Sequence, residues 1–177
     1  LSKDLEIGYL SQSVISDLGN TLYDEALLVF KDLIKMESDL ASLCEKMALS
    51  HSEEDLEAYS KLENRFKSLG GYDYRYKIDM MLSKFGFYKE DFARPIASFS
   101  GGERMKMAFA KLLLIKPNLL VLDEPTNHLD IATIEWLETY LKTYEGSILF
   151  VSHDRYFINS LANKILEIDQ KRVEVYV

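Results

Sequence analysis

The sequence predicts an α/β chain: a parallel sheet covered by helices, interrupted by a helical subdomain that carries a long antiparallel hairpin. Three observations predict it. Short strand-like stretches rich in apolar residues at 119–122, 148–151 and 165–168 alternate with helical stretches, the pattern of strands joined by crossover helices. Upstream, Leu22, Ala26, Val29, Leu33, Met36, Leu40, Leu43 and Met47 recur at alternating steps of four and three, a heptad seam that makes one apolar stripe on a helix. A second stripe, Leu56, Tyr59, Leu62, Phe66 and Leu69, follows after a few polar residues, so the two helices fold back on each other.

Taken in order, residues 5–10 read as a short strand ending at Ser11-Gln12. Thr21 with Asp24 is a capping box opening the long seam, and Ser52 with Asp55 opens the second helix. Gly70-Gly71 ends that helix. A further helix is expected over 74–85, stopped by Gly86. Helices over 103–116, 130–144 and 155–162 then alternate with the strands, Pro117 ending the first. The chain closes on strands at 165–168 and 173–177, a hairpin about Gln170-Lys171. Three segments result: 1–20 belongs to the sheet, 21–98 is the helical subdomain with its arm at about 22–69, and 99–177 returns to the sheet.

Composition narrows the function. No uninterrupted aliphatic run exceeds four residues, against about 20 apolar residues for a membrane-spanning helix, so no membrane insertion is expected. A net charge of −8 without a basic stripe disfavours broad phosphate contact and sequence-specific DNA binding. The single cysteine, Cys44, cannot form an internal disulfide and fits a reducing, cytoplasmic location.

Three motifs carry chemistry. Residues 119–130 read Leu-Leu-Val-Leu-Asp-Glu-Pro-Thr-Asn-His-Leu-Asp. An aliphatic strand thus delivers two adjacent carboxylates at its carboxyl end, where open α/β sheets bind ligands. Strand alternation points the two in opposite directions and divides the labour. Asp123 is assigned to Mg²⁺ on nucleotide phosphates, and Glu124 to activating the attacking water. Phe99-Ser-Gly-Gly-Glu-Arg104 opens a helix 23 residues before Asp123. Its first-turn amides, the positive dipole end and the Ser100 hydroxyl make a phosphate site. Val151-Ser-His-Asp-Arg155 follows another strand and places His153 where an imidazole reaches a γ-phosphate and the water.

Together these motifs resemble the ATP-binding cassette superfamily, and they span nearly the whole chain. The resemblance implies a partial P-loop NTPase fold, ATP and Mg²⁺ as cofactors, and ATP hydrolysis. Gln12 looks like the Q-loop glutamine that senses Mg²⁺ and nucleotide. Ser100, Gly101, Gly102 and Glu103 resemble the signature motif, with Glu where many members carry Gln. Asp123 and Glu124 match the Walker B aspartate and catalytic glutamate, Asn127 to Asp130 the D-loop, and His153 the switch histidine. In this family the signature contacts ATP held by a second cassette, which is the implied partner.

The phosphate-cradling Gly-x-x-x-x-Gly-Lys-Ser/Thr is nowhere in the sequence. The resemblance places it upstream of Gln12, and position 1 is not Met, so the expectation is a fragment of a longer protein that does not hydrolyse ATP alone. Gln12 and Ser100 are 88 residues apart, longer than a transporter cassette requires. With residues 126–130 and 152–157, that length resembles the first cassette of the ABC-F family, whose members carry two cassettes and act on the ribosome and translation. The arm holds eleven acidic and six basic residues, net −5, which fits contact with protein or beside tRNA better than with ribosomal RNA. The alternative is the ATP-binding subunit of a membrane transporter, which predicts a shorter insertion. A coiled-coil DNA-repair ATPase predicts a far longer one.

Overall fold

The computed structural model describes residues 5–10, 15–50, 52–127, 129–169 and 172–176. Gln12, His128 and the Gln170-Lys171 turn lie outside the described residues. The chain forms two compact units that divide between residues 12 and 13 and between 115 and 116.

The first unit is built on strands β1 (Ile7–Tyr9), β2 (Leu119–Asp123) and β3 (Ser147–Val151). They are parallel in the order β1-β2-β3, with Gly8 opposite Leu120 and Asp123 opposite Val151. Central β2 buries Leu120 and Leu122. Helices α6 (Ile131–Lys142) and α7 (Arg155–Leu161) supply buried Leu137, Leu141 and Phe157. Strands β4 (Ile165–Asp169) and β5 (Arg172–Tyr176) pair antiparallel, as the hairpin reading expects. The sequence also reads β3 as a buried strand, yet Leu149 is 50% and Val151 59% exposed. Among the described strands β3 pairs only with β2, so its outer edge and part of each face lack a neighbour.

The second unit is helical: α1 (Leu22–Leu27), a tight turn at Leu28–Phe30, α2 (Lys31–Ser50), α3 (Glu53–Ser68), α4 (Tyr74–Lys84) and α5 (Gly101–Ile115). Thr21 caps α1, its hydroxyl accepting the Asp24 amide at 3.1 Å. The Asp24 carboxylate takes the Thr21 hydroxyl proton at 2.7 Å, whereas the capping-box reading sends it to a backbone amide. The heptad seam buries Leu22, Ala26, Leu33 and Leu40. On α3, Phe66 is buried while Leu56, like Leu69 at the helix's C-terminal cap, is more than half exposed, because in a two-helix hairpin each stripe is covered from one side. Gly86, at φ +82°, ends α4 in a conformation that side chains resist.

This unit is larger than the 21–98 segment expected from sequence. Its extra members are the entry segment and α5, whose Met107, Phe109, Leu112 and Leu113 are buried. The Phe109 ring lies 5.3 Å from that of Phe85 beside α4, so the apolar face of α5 belongs to the helical core. No described helix is long and apolar enough to cross a membrane.

Candidate functional site

β2 delivers Asp123 exposed at its carboxyl end. The next residue does not continue the strand. Glu124 adopts φ +47°, a left-handed conformation that costs a bulky side chain about 1–3 kcal/mol. Its amide is held by the Val151 carbonyl at 2.9 Å, and its own carbonyl accepts the Asn127 amide at 3.1 Å. The strand alternation expected from sequence therefore stops at Asp123, and Glu124 is set by this backbone turn.

The Glu124 side chain turns toward the end of β3. Its Oε2 accepts the His153 backbone amide at 3.3 Å. Its Oε1 is buried with no hydrogen-bond partner and stands 3.6 Å from His153 Nε2. That spacing is too long for a direct hydrogen bond and short enough for both groups to touch one water. The His153 side chain is 95% exposed, against 24% for Glu124, so the imidazole faces whatever approaches from solvent. A buried carboxylate oxygen without a donor calls for a ligand. An exposed aspartate one residue away is the hard oxygen donor that Mg²⁺ prefers, with phosphates and water completing its shell. The residues therefore fit a Mg²⁺-nucleotide. Among the described residues, no group of three or more His, Cys, Asp or Glu forms a metal cage.

The turn holding His153 depends on Asp154, whose role the motif reading missed. Its carboxylate caps α7, accepting the amides of Tyr156 at 2.9 Å and Phe157 at 3.2 Å. Its amide donates to Ser152 Oγ at 3.1 Å. Asp154→Ala is expected to cost about 1 kcal/mol, read as a lower urea midpoint at unchanged slope. The available signal was Asp before a helical stretch, a plain N-cap cue.

The signature-like segment lies in the helical unit. Ser100 and Glu103 form a full capping box at the start of α5. The Ser100 amide and hydroxyl donate to Glu103 Oε2 at 2.8 and 2.7 Å, and the Glu103 amide donates to Ser100 Oγ at 3.3 Å. The Ser100 side-chain bond, helped by its amide, holds the Glu103 carboxyl below its ordinary range. A capping box accepts Glu or Gln at this position, which gives a physical reason for the two residues to interchange there. Space around Gly101 is open, with nothing within 4 Å of where a Cβ would stand. Asp130 is the N-cap of α6, accepting the Thr133 amide at 2.9 Å.

Comparison with known proteins identifies the family and the fold. The profile of the ABC transporter family matches residues 3–127. The chain is 39% identical over 171 residues to ABC transporter F family member 2 of Arabidopsis thaliana, covering 93% of this chain and 25% of that protein. It is 40% identical over 134 residues to the energy-dependent translational throttle protein EttA of Mycobacterium tuberculosis, covering 76% of this chain and 24% of that protein. The chain thus spans about a quarter of the length of these curated relatives. Among solved structures it superposes with a TM-score of 0.56 on the dimeric cassette MJ0796 bound to ADP and Pi. That likeness is 17% identical in sequence, covers 97% of this chain and 62% of that one, and shows the fold.

Proposed function

The chain belongs to the ABC transporter family of ATP-binding cassettes, and from that premise we propose that it supplies the water-activating part of an ATPase site in a cytoplasmic ABC-F type protein acting on the ribosome. The observation that carries the ATPase reading is the pairing of a buried, partnerless Glu124 Oε1 with His153 Nε2 at 3.6 Å. Glu124 orients and deprotonates the attacking water, and His153 meets the γ-phosphate side of it. Asp123 holds Mg²⁺, which when bound neutralises charge on the phosphates. Gln12, outside the described residues, joins it as the second ligand. Ser100, Gly101, Gly102 and Glu103 present a helix N-terminus to ATP held by a second cassette, with Asp130 at the loop between the two cassettes.

The 177 residues contain no Gly-x-x-x-x-Gly-Lys-Ser/Thr motif, so the phosphate grip comes from elsewhere in the intact protein. The edge of β3 that no described strand pairs, beside a groove lined by Ile148, Phe150, Ile158, Leu161 and Leu166, suits a further parallel strand carrying it. The same edge, left open, favours strand-to-strand association, so a dimer of this chain alone is expected to pair through β3 without building the ATP sandwich.

The ribosome reading rests on the hairpin α2–α3 and on the likeness to EttA and the F family member. The full-length protein carrying Glu124→Gln is expected to co-sediment with ribosomes in ATP and not in ADP. Equal pelleting in both nucleotides, or none in either, would contradict the ribosome role while leaving the ATPase reading intact.

A further inference from the structure

The helical unit contains a buried ion pair that the proposed hydrolysis does not use. Glu25 on α1 is 0% exposed and Lys111 on α5 is 5% exposed. Lys111 Nζ donates to Glu25 Oε1 and, at 2.9 Å, to Ser16 Oγ. Glu25 Oε1 also accepts the Ser16 amide, and its Oε2 accepts Asn20 Nδ2 at 2.8 Å. Burial alone raises the Glu25 carboxyl, but bonds from Lys111, Ser16 and Asn20 outweigh it and hold the group below its ordinary value. One carboxylate thus collects three donors and ties segment 16–20 to both α1 and α5.

The same segment is bonded to the chain leading into the signature-like start of α5. The Leu22 amide donates to the Arg94 carbonyl at 3.0 Å, Ile96 to Asn20 at 2.9 Å and Ala97 to Leu18 at 2.9 Å. Arg94 in turn lies 4.0 Å over the ring of buried Phe99. The chain leading into α5 is therefore held by backbone bonds at Ile96 and Ala97, and the helix itself is held at Lys111 by the ion pair. At 1.5 Å rise per residue Gly101 lies roughly 15 Å along α5 from Lys111, so a tilt of about 4° at Lys111 displaces Gly101 by roughly 1 Å. A misplacement of that size can cost about 100-fold in rate.

We infer that Glu25 and Lys111 are positioning residues that aim the helix N-terminus at Ser100-Gly101-Gly102. Stability alone is a weak reason for such a pair, since apolar replacement of a buried ion pair is often neutral or stabilising. Direction is what a charged, four-way bonded node adds. This inference rests on the ATPase reading above.

The test uses the full-length protein and ATP. In the double variant Glu25→Leu/Lys111→Met, the melting temperature is expected within about 4 °C of wild type, while kcat/KM falls at least ~10-fold. Asn20→Ala, which removes one donor without burying an unpaired charge, is expected to lower kcat/KM by roughly 3- to 10-fold at unchanged melting temperature. Lys111→Arg keeps the charge and is expected to retain more activity than Lys111→Met. Wild-type kinetics in the folded double variant would overturn the inference; should that variant not fold, wild-type kinetics in Asn20→Ala would do so. A wild-type protein without ATP turnover would instead overturn the ATPase reading, and this inference with it.

Discussion

Glu124→Gln in the full-length protein is expected to lower ATP turnover by about 10²- to 10⁴-fold, the usual contribution of a positioned general base. The replacement is close to isosteric. A Gln carbonyl oxygen can still accept the His153 amide, now bonded to Oε2 at 3.3 Å, and the backbone bond from residue 124 to Val151 at 2.9 Å is untouched. What disappears is the charge on the buried Oε1 and with it the ability to take a proton from water. ATP binding should persist, because the phosphate and Mg²⁺ contacts are proposed on other residues. The checks are steady-state phosphate release and retention of unhydrolysed ATP after gel filtration. Turnover near the wild-type rate would remove Glu124 from the chemistry.

Phe157→Ala is expected to destabilise the sheet-containing unit by about 3–5 kcal/mol, the range for emptying a buried phenylalanine site. Phe157 is 0% exposed, and its ring meets Phe150 of β3 edge-on at 5.3 Å. It is the one buried residue of α7. Because α7 begins directly after the Ser152-His153-Asp154 turn, its loosening also frees His153 from Glu124. The urea midpoint should therefore fall together with kcat, and Phe157→Leu, which refills most of the volume, should recover much of both.

Most of the fold was legible because its signals are local. Heptad spacing from Leu22 to Met47, Gly86 after α4 and the aliphatic run between Pro117 and Asp123 each act within a few residues. The family was legible too, since twelve consecutive residues from Leu119 to Asp130 carry much of the resemblance. Three things were not legible, for three physical reasons. The left-handed turn at Glu124 runs against side-chain preference and is imposed by the Val151 carbonyl across the sheet. The membership of α5 in the helical unit follows from burial against residues far away in sequence, such as Phe85. The Glu25–Lys111 pair spans 86 positions, and each residue taken alone reads as an ordinary charged helix position.

The central claim is that this chain holds the water-activating residues but not the phosphate grip. It is tested most directly by ATP turnover of the purified 177-residue chain, its helices first verified by far-UV circular dichroism, beside the full-length protein under the same Mg²⁺ and ATP. The account predicts phosphate release by the full-length protein, abolished by Glu124→Gln, and none above background from the folded chain. Turnover by the folded chain alone at a rate comparable to the full-length protein would contradict it.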